Sequence, residues 1–405
     1  MRLLILGIRM DRGGTERALL SFLESLPSRS YQIDLLLAQQ EGALMPEIPA
    51  HVRLLPPLKN GILFSLSRQN AANVFRKLEF RGKRSFFIRH PQLLPDILRH
   101  RPGAGERLFI ALMKEACQFF SEEYPGNAYD AALAFSGDRT MFYLCDRVCC
   151  QKKIAWLHFD YRYPTRDDAI YRTYFQRCHA VVSVSHACTD LLRRHFPALK
   201  NRFYTLYNPL PHQRILQMAD EDLTFPDPPF SGYRLLSVMR ICHQKGADLI
   251  PLILKNLREK GLSVRWYLAG DGGTKDLRRL KKEAAQYGVD DALVLLGGVD
   301  NPYPIMKSCD LFILPSRYEG MPITIEEAKL LAVPILCTDY LSAKEQLQNE
   351  ALGYVCRCNI PSLTSAIFSL LTQEEMRNRL QIRLKERPLI SQNTCEIFEH
   401  LLANC

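Results

Sequence analysis

Short apolar runs alternate with longer amphipathic segments along most of the chain. The runs are short and largely apolar, a pattern typical of buried strands. In the first half, the predicted strands are Leu3 to Gly7, Tyr31 to Ala38, Asp130 to Phe135, Lys153 to His158, Ala180 to Ser185 and Phe203 to Tyr207. The predicted helices between several of them are Glu16 to Leu26, Leu108 to Phe120 and His186 to His195.

The second half repeats this alternation more regularly, and a segment of helical length follows each predicted strand. Alternating strands and helices form parallel sheets that carry helices on both faces. The expected fold class is therefore α/β, with two Rossmann-like, doubly wound domains that face each other across a cleft. The predicted strands of this half are Arg234 to Val238, Val264 to Ala269, Leu293 to Gly297, Leu311 to Pro315 and Pro334 to Cys337.

Two proline-rich segments separate the halves. Asn208 to Pro211 ends the first unit, and Phe225 to Gly232 introduces the second. A chain of 405 residues also exceeds one ordinary core, since domains usually hold about 100–200 residues. We therefore predict an amino-terminal domain over residues 1–212, a carboxyl-terminal domain over 213–390 and a last helix over 391–405 near the domain junction.

Composition limits the cellular location that we expect for the protein and the classes of partner that it could bind. A net charge of +10 admits nucleic acid, anionic lipid and phosphorylated ligands as partners. The 13 cysteines show no CxxC pair or framework spacing, which indicates a reduced, cytoplasmic chain without a zinc site. The apolar run from Met1 to Gly7 is too short for a signal peptide, and no run of about 20 apolar residues predicts a membrane span.

Two glutamates are the most informative candidates. Glu319 and Glu327, with seven residues between them, lie where the strand that ends near Pro315 gives way to a helix. In α/β proteins this junction holds anionic ligands, because unpaired N–H groups and the helix dipole point at them. Carboxylates are not needed for phosphate, but they accept hydrogen bonds from hydroxyl groups well. The pair therefore points to a ribose or a hexose.

Two cations follow another strand of the same half. Arg240 and Lys245 come after Arg234 to Val238 and precede a helix predicted to start near Ala247. A guanidinium fork and an ammonium point charge can straddle a diphosphate. The alternative is a pair of solvated surface cations.

The first half offers weaker candidates. Gly13 and Gly14 open the first helix, where adjacent glycines permit close backbone approach to a ligand, although the GxGxxG spacing is absent. His158 ends a predicted strand and could contact a substrate hydroxyl or developing charge. A tight turn and a packed histidine are the alternatives for these two sites.

Together these residues resemble a GT-B glycosyltransferase of the family 4 type, the glycosyl transferases group 1. The resemblance rests on Glu319 with Glu327 and on Arg240 with Lys245 and Gly246. The loop Gly13 to Arg17 and the pair Asn208 and Pro209 support it less specifically. It covers most of the second domain and patches of the first. Two positions depart from the family pattern: Met239 replaces a glycine, and Ala332 with Val333 replaces or displaces another.

The resemblance implies a role for each matched residue. Glu327 would hold the nucleotide ribose, and Glu319 would lie by the donor sugar. Arg240 and Lys245 would grip the diphosphate, and the backbone N–H groups at Gly320 and Met321 would close on phosphate and sugar oxygens. From the other domain, Gly13 and Gly14 would approach the donor and His158 would lie near its sugar. Asp271 to Gly273 and Gly297 to Asn301 would form the loops beside the nucleotide.

The implied function is transfer of a sugar from a nucleoside-diphosphate sugar to a hydroxyl of a glycan or polyprenyl-diphosphate-linked acceptor. Such enzymes resemble those of capsule and exopolysaccharide synthesis, retain anomeric configuration and need no metal or other cofactor. A UDP-sugar is favoured as donor. A GT-B nucleotide-sugar epimerase and a non-catalytic nucleotide-sugar-binding protein stay open, whereas no RRM, KH or zinc-finger signature supports a nucleic-acid partner.

A basic insert over residues 66–107 interrupts the first domain. Cations interleaved with aromatic residues suit peripheral contact with the anionic inner face of a membrane. A solvated helical excursion is the alternative. The cations are Arg76, Lys77, Arg81, Lys83, Arg84, Arg89, Arg99 and Arg101, and the apolar residues are Phe75, Phe80, Phe86, Phe87 and Ile88.

Overall fold

The structure is a computed structural model, and it describes residues 1–58, 60–65, 89–99, 104–116, 129–222, 225, 229–387 and 394–404. Most of the predicted basic insert lies outside these ranges; of its named cations, Arg89 and Arg99 lie within them. The chain divides into two compact units. The first comprises Met1–Val184, Cys188–Tyr207 and Asn393–Cys405, and the second comprises Ser185–Ala187 and Asn208–Gln392.

A parallel sheet forms the centre of the first unit. In the described part of the chain its strand order is β3-β2-β1-β4-β5-β6-β7. The strands are β1 Arg2–Gly7, β2 Gln32–Leu37, β3 Val52–Leu54, β4 Ala131–Ala134, β5 Lys152–Leu157, β6 Ala180–Ser183 and β7 Phe203–Thr205. The helices around it are Gly14–Ser25, Leu93–Leu98, Ala104–Ala116, Asp138–Arg147, Asp168–Arg177, His186–His195 and Thr394–Asn404.

The second unit repeats this architecture. Its described strands form a parallel sheet in the order β10-β9-β8-β11-β12-β13. The strands are β8 Tyr233–Val238, β9 Val264–Ala269, β10 Leu293–Gly297, β11 Leu311–Leu314, β12 Ile335–Thr338 and β13 Tyr354–Cys356. The helices are His212–Ala219, Ile250–Glu259, Thr274–Gln286, Tyr303–Lys307, Ile323–Leu330, Ala343–Gln346, Ile360–Thr372 and Glu374–Glu386.

The predicted α/β, doubly wound fold is confirmed, since every strand pair is parallel and helices alternate with the strands. The sequence pattern missed β3 and β13, two three-residue strands at sheet edges, whereas the equally short edge strand β7 was predicted. The helix expected near Ala247 begins as a 3₁₀ turn over Ala247–Leu249, and α-helix follows from Ile250.

Buried aromatic residues anchor the first unit, and the last helix shares in this core. The ring of Phe22 packs edge-on against Trp156 at 5.2 Å and against Phe398 at 5.1 Å between centroids. Lys152 Nζ donates to Leu402 O at 2.6 Å. After the second unit the chain therefore returns to the first, where Phe398 is fully buried.

A buried polar link joins the central strands of the second sheet. The Trp266 Nε1–H donates to Ser237 Oγ at 3.0 Å, and Ser237 Oγ donates to Ile313 O at 2.6 Å. All three residues are buried, so the hydrogen bonds satisfy polar atoms that would otherwise be costly to bury. The link fixes β8 against β11, the two strands whose ends carry the predicted site residues.

A left-handed alanine ends the helix Ile323–Leu330. Ala332 has φ 53°, its N–H donates to Lys329 O, and Val333 N donates to Ala328 O at 3.0 Å. This is the Schellman arrangement, in which glycine is the usual left-handed residue because a Cβ is crowded there. Ala332 thus occupies the position where the sequence departs from the family glycine.

We predict that Ala332→Gly raises the free energy of unfolding of the second unit by about 1 kcal/mol, because it relieves the left-handed strain. Denaturant unfolding of the full chain measures the change. Ala285→Gly is the control. Ala285 is exposed on the helix Thr274–Gln286, where glycine is a poorer helix former, so this substitution should lower the free energy of unfolding by about 1 kcal/mol. Destabilisation by both substitutions would contradict the assigned strain.

Candidate functional site

Loops from adjacent strands build the candidate site in the second unit. The strands β8 and β11 pair side by side, with Leu235 opposite Leu311 and Leu236 opposite Phe312. Because parallel strands end at the same edge, the loop after β8 lies beside the loop after β11. These loops carry the predicted cations and the predicted glutamates, respectively.

Arg317 clasps the two loops together. Its guanidinium donates to both carboxylate oxygens of Asp248 at 2.7 Å and to His243 O at 2.5 Å. Two further hydrogen bonds cross the same gap, from Arg317 N to Gln244 O at 2.8 Å and from Gln244 Nε2 to Tyr318 O at 3.2 Å. Burial acts to raise the pKa of Asp248, but the Arg317 guanidinium outweighs it and holds that pKa below its ordinary value.

Within this clasp Lys245 and Glu319 form an ion pair. The Lys245 Nζ atom lies 2.5 Å from Glu319 Oε1. Both side chains are largely shielded, with exposed fractions of 16% for Lys245 and 8% for Glu319. Shielding from water strengthens the attraction between the two charges, while the removal of both charges from water costs desolvation free energy.

Arg240 presents its guanidinium at the open side of the same loop. The residue is exposed, and Nη2 donates to Gln244 Oε1 at 3.4 Å. The preceding Met239, the first departure from the family pattern, is buried in the core of the second unit. A larger residue at this position therefore fills the core without occupying the site.

Glu327 lies on the helix Ile323–Leu330, whose amino terminus follows the Gly320 to Pro322 turn. The residue is only 3% exposed, and Glu327 Oε1 accepts a hydrogen bond from the Tyr303 hydroxyl at 2.9 Å. Tyr303 is itself buried, and its N–H donates to Asn301 Oδ1 at 3.1 Å. The carboxylate is therefore held in one orientation.

The neighbouring Glu326 belongs to a separate network. Lys329 Nζ donates to both Glu326 carboxylate oxygens and to Gln346 O, all at 2.9 Å. Gln346 Nε2 donates to Pro322 O at 2.9 Å and to Glu326 Oε1 at 3.1 Å. The network ties the helix and its preceding turn to Ala343–Gln346, so the backbone at Gly320 and Met321 leads into a fixed helix amino terminus.

Two further loops reach the same edge of the sheet. Ile241 N donates to Asp271 O at 2.8 Å, and Ile241 forms an isolated parallel bridge with Gly272. Gly270 N donates to Gly297 O at 2.7 Å. The loops predicted to lie beside the nucleotide therefore adjoin the loop that bears Arg240.

The candidates of the first unit lie at the ends of its own strands. Gly13 precedes the helix Gly14–Ser25, and a Cβ at Gly14 would meet no atom within 4 Å, so packing does not account for glycine there. His158 follows β5, is half-buried, and its ring centroid lies 4.6 Å from that of Phe135 and 5.6 Å from that of Trp156. Their predicted roles at the donor stay predictions.

The structure thus gathers Arg240, Lys245 and Glu319, on loops, and Glu327, on the helix Ile323–Leu330, at one sheet edge of the second unit. Sequence reasoning missed the residues that hold them: Tyr303, Asp248, Arg317 and Gln244. Only the position of Arg317 beside the strand end offered a signal, because an ion pair between distant loops leaves no spacing to read.

Comparison with known proteins agrees with this geometry. Residues 226–387 match the family model of the glycosyl transferases group 1. An uncharacterised glycosyltransferase of Methanocaldococcus jannaschii is 23% identical over 228 residues, which are 55% of this chain and 54% of that protein. The N-acetylgalactosamine-N,N'-diacetylbacillosaminyl-diphospho-undecaprenol 4-alpha-N-acetylgalactosaminyltransferase of Campylobacter jejuni is 29% identical over 185 residues, which are 45% of this chain and 48% of that protein. The chain spans about half the length of these relatives.

Solved structures extend the likeness to the whole fold. Anabaena Alr3699/HepE in complex with UDP superposes with a TM-score of 0.65 at 15% identity and covers 100% of both chains. Sucrose-phosphate synthase from Thermosynechococcus elongatus superposes with a TM-score of 0.71 at 14% identity, again over 100% of both chains. The fold is therefore the two-domain GT-B fold. The likeness to the glycosyl transferases group 1 lies in residues 226–387.

Gly246 fixes the backbone beside Lys245. It has φ +72°, and a Cβ there would lie 2.0 Å from Pro315 O. The loop after β8 therefore packs directly on the end of β11, and only glycine fits both the conformation and the space.

We predict that Gly246→Ala lowers the free energy of unfolding of the second unit by more than ~1 kcal/mol, because the clash of the new Cβ with Pro315 O adds to the left-handed strain. Gly261→Ala is the matched control, since Gly261 has φ +81° and open space around its Cβ. The difference between the two free energies of unfolding isolates the Pro315 contact. Equal losses in both variants would contradict the close approach.

Proposed function

We propose that this protein is a glycosyltransferase that moves a sugar from a nucleoside-diphosphate sugar to a hydroxyl of a glycan or lipid-linked acceptor. One observation carries the proposal: Arg240, Lys245 and Glu327 come to one sheet edge, on the loop after β8 and the helix after β11, in a region that matches the family model of the glycosyl transferases group 1. Cations for a diphosphate and a shielded carboxylate for hydroxyl groups are the two chemistries that a nucleotide sugar requires.

The charges suit the departure of a nucleoside diphosphate. As the glycosidic bond breaks, negative charge develops on the leaving phosphate, and preorganised cations stabilise that charge. Arg240 and Lys245 supply the cations, and the N–H groups at the start of Ile323–Leu330 supply a helix amino terminus. Glu327, oriented by Tyr303, accepts hydrogen bonds from the ribose.

We further propose a retaining, front-face reaction in which the leaving phosphate itself helps to deprotonate the acceptor hydroxyl. The support is the family resemblance carried by Glu319, Glu327, Arg240 and Lys245. Glu319 and the backbone at Gly320 and Met321 lie by the donor sugar in this proposal. We also propose that His158, Gly13 and Gly14 take part in the reaction, as the family resemblance implies.

The relatives favour a UDP-sugar and a polysaccharide role. Anabaena Alr3699/HepE is described in complexes with UDP and with UDP-glucose, and the Campylobacter jejuni relative is named for a diphospho-undecaprenol acceptor. We propose the same classes of donor and acceptor here, with no metal or other cofactor.

Peripheral contact with an anionic membrane is part of the proposal for the acceptor. No helix in the described part of the chain is long and apolar enough to cross a membrane. The contact would therefore rest on the basic insert, whose named cations are mostly outside the described residues. Co-sedimentation with anionic vesicles at low salt decides between membrane contact and a solvated excursion.

We predict that Lys245→Ala and Glu327→Ala each lower transfer by about 10²–10³-fold, the usual loss when one preorganised charge-stabilising group is removed. The assay follows nucleoside diphosphate release and the glycosylated product across UDP-, GDP- and ADP-sugars. Lys255→Ala and Glu259→Ala serve as matched controls, because these residues form an exposed pair on a helix.

The same assay identifies other activities. If the assay yields an epimerised nucleotide sugar and no transfer product, the protein is an epimerase. Unchanged transfer in both Lys245→Ala and Glu327→Ala would refute the assignment of these residues to the site.

We also predict that transfer persists in excess EDTA, because Arg240 and Lys245 take the part that a divalent ion plays in other transferases. The measurement compares initial rates with EDTA and with added Mg²⁺ or Mn²⁺. A strict requirement for either ion would refute metal-independent catalysis while leaving the donor site in place.

A further inference from the structure

The diphosphate-binding cation Lys245 already has an anionic partner within the protein. Its ammonium lies 2.5 Å from Glu319 Oε1, and both side chains are largely shielded from water. The proposed function places the donor diphosphate on this same ammonium. The Glu319 carboxylate and the donor diphosphate would therefore both bind the Lys245 ammonium.

The two anions do not fit comfortably together. A phosphate brought onto Lys245 approaches a carboxylate that is only 8% exposed, and like charges repel strongly where water is scarce. The only other cation that the sequence places at this diphosphate, Arg240, is on the exposed side of the loop and donates to Gln244. Simple bridging of both anions by Lys245 is thus disfavoured.

The side chain of Glu319 can change partner without movement of the loop. Glu319 lies between the end of β11 at Leu314 and the helix that begins at Ile323, and rotation about its side-chain bonds would move the carboxylate away from Lys245. A donor sugar brings hydroxyl groups, which are good donors to a carboxylate. A Glu319 that leaves Lys245 would therefore find new partners on the same ligand.

We propose that Glu319 competes with the donor diphosphate for Lys245, so that donor binding exchanges the Lys245–Glu319 ion pair for a Lys245–phosphate pair and passes Glu319 to the sugar hydroxyls. This inference rests on the proposed function and deepens it. After transfer the sugar leaves with the acceptor, Glu319 loses those hydroxyl groups and takes Lys245 back. Glu319 thereby weakens the hold on the nucleoside diphosphate product and favours its release.

The proposal predicts opposite effects on binding and turnover. Glu319→Gln keeps the shape of the side chain and removes its charge, so Lys245 becomes fully available to phosphate. The variant should bind UDP about tenfold more tightly than the natural chain, which corresponds to the loss of one competing charge interaction of ordinary size. Transfer should nevertheless slow, and UDP should inhibit it more strongly.

Isothermal titration of the full chain with UDP measures the affinity. Asp291→Asn is the matched control: it also removes one acid from an ion pair of the second unit, with Arg258, and raises the net charge equally, but on an exposed surface. Titration with uridine, which lacks phosphate, should show no change in Glu319→Gln. In the double variant Lys245→Met and Glu319→Gln, the gain in UDP affinity should vanish.

Several outcomes overturn the exchange. Unchanged or weaker UDP binding by Glu319→Gln would show that the carboxylate supports Lys245, and equal tightening for uridine or in Asp291→Asn would show that phosphate on Lys245 is not the cause. A thermal melt verifies the fold, and Glu319→Ala replaces the amide variant if that variant is unfolded. Absence of binding to UDP, GDP and ADP by the natural chain would refute the proposed function itself.

Discussion

The site depends on one constraint: the loops after β8 and β11 are held in register. The strands that carry them are adjacent and parallel, so the loops begin at the same edge of the sheet. Arg317 then closes the gap by binding Asp248 with both guanidinium arms, while Gly246 lets the first loop lie on Pro315. Lys245 and Glu319 are 74 residues apart in sequence, and this contact between the loops brings them together.

Three ion pairs of the second unit lie on the loops after β8 and β11 and on the elements that follow them. Arg317 pairs with Asp248, Lys329 with Glu326, and Lys245 with Glu319. The first two pairs fix backbone, because each cation also donates to main-chain carbonyl groups. The third joins two residues that both face the proposed ligand. The Lys245–Glu319 pair is proposed to separate when both side chains bind one substrate. The other two pairs hold the backbone in place, although the distances in all three are similar.

The sequence was sufficient for the fold and for the chemical candidates, but not for their support. The apolar run of β10, and that of β9 with only Arg265 inside it, were located to the residue, whereas no long apolar run marked the three-residue edge strands β3 and β13. Glu319 and Glu327 could be found because both lie near one strand end. Tyr303 could not, since it reaches Glu327 across 24 residues from a short helix that carries no charged or glycine-rich motif.

At the two positions that depart from the family pattern, the backbone keeps its path and the site residues keep their positions. Met239 stands where the family has glycine, yet its side chain enters the core and leaves the Arg240 backbone on its path beside Asp271. Ala332 adopts the left-handed conformation that glycine would adopt, and the Schellman hydrogen bonds still end the helix there. In both cases main-chain hydrogen bonds set the path and the side chain adapts. The site residues therefore owe their positions to backbone contacts between neighbouring loops, and the pairing of Lys245 with Glu319 adds function to a geometry that those contacts already define.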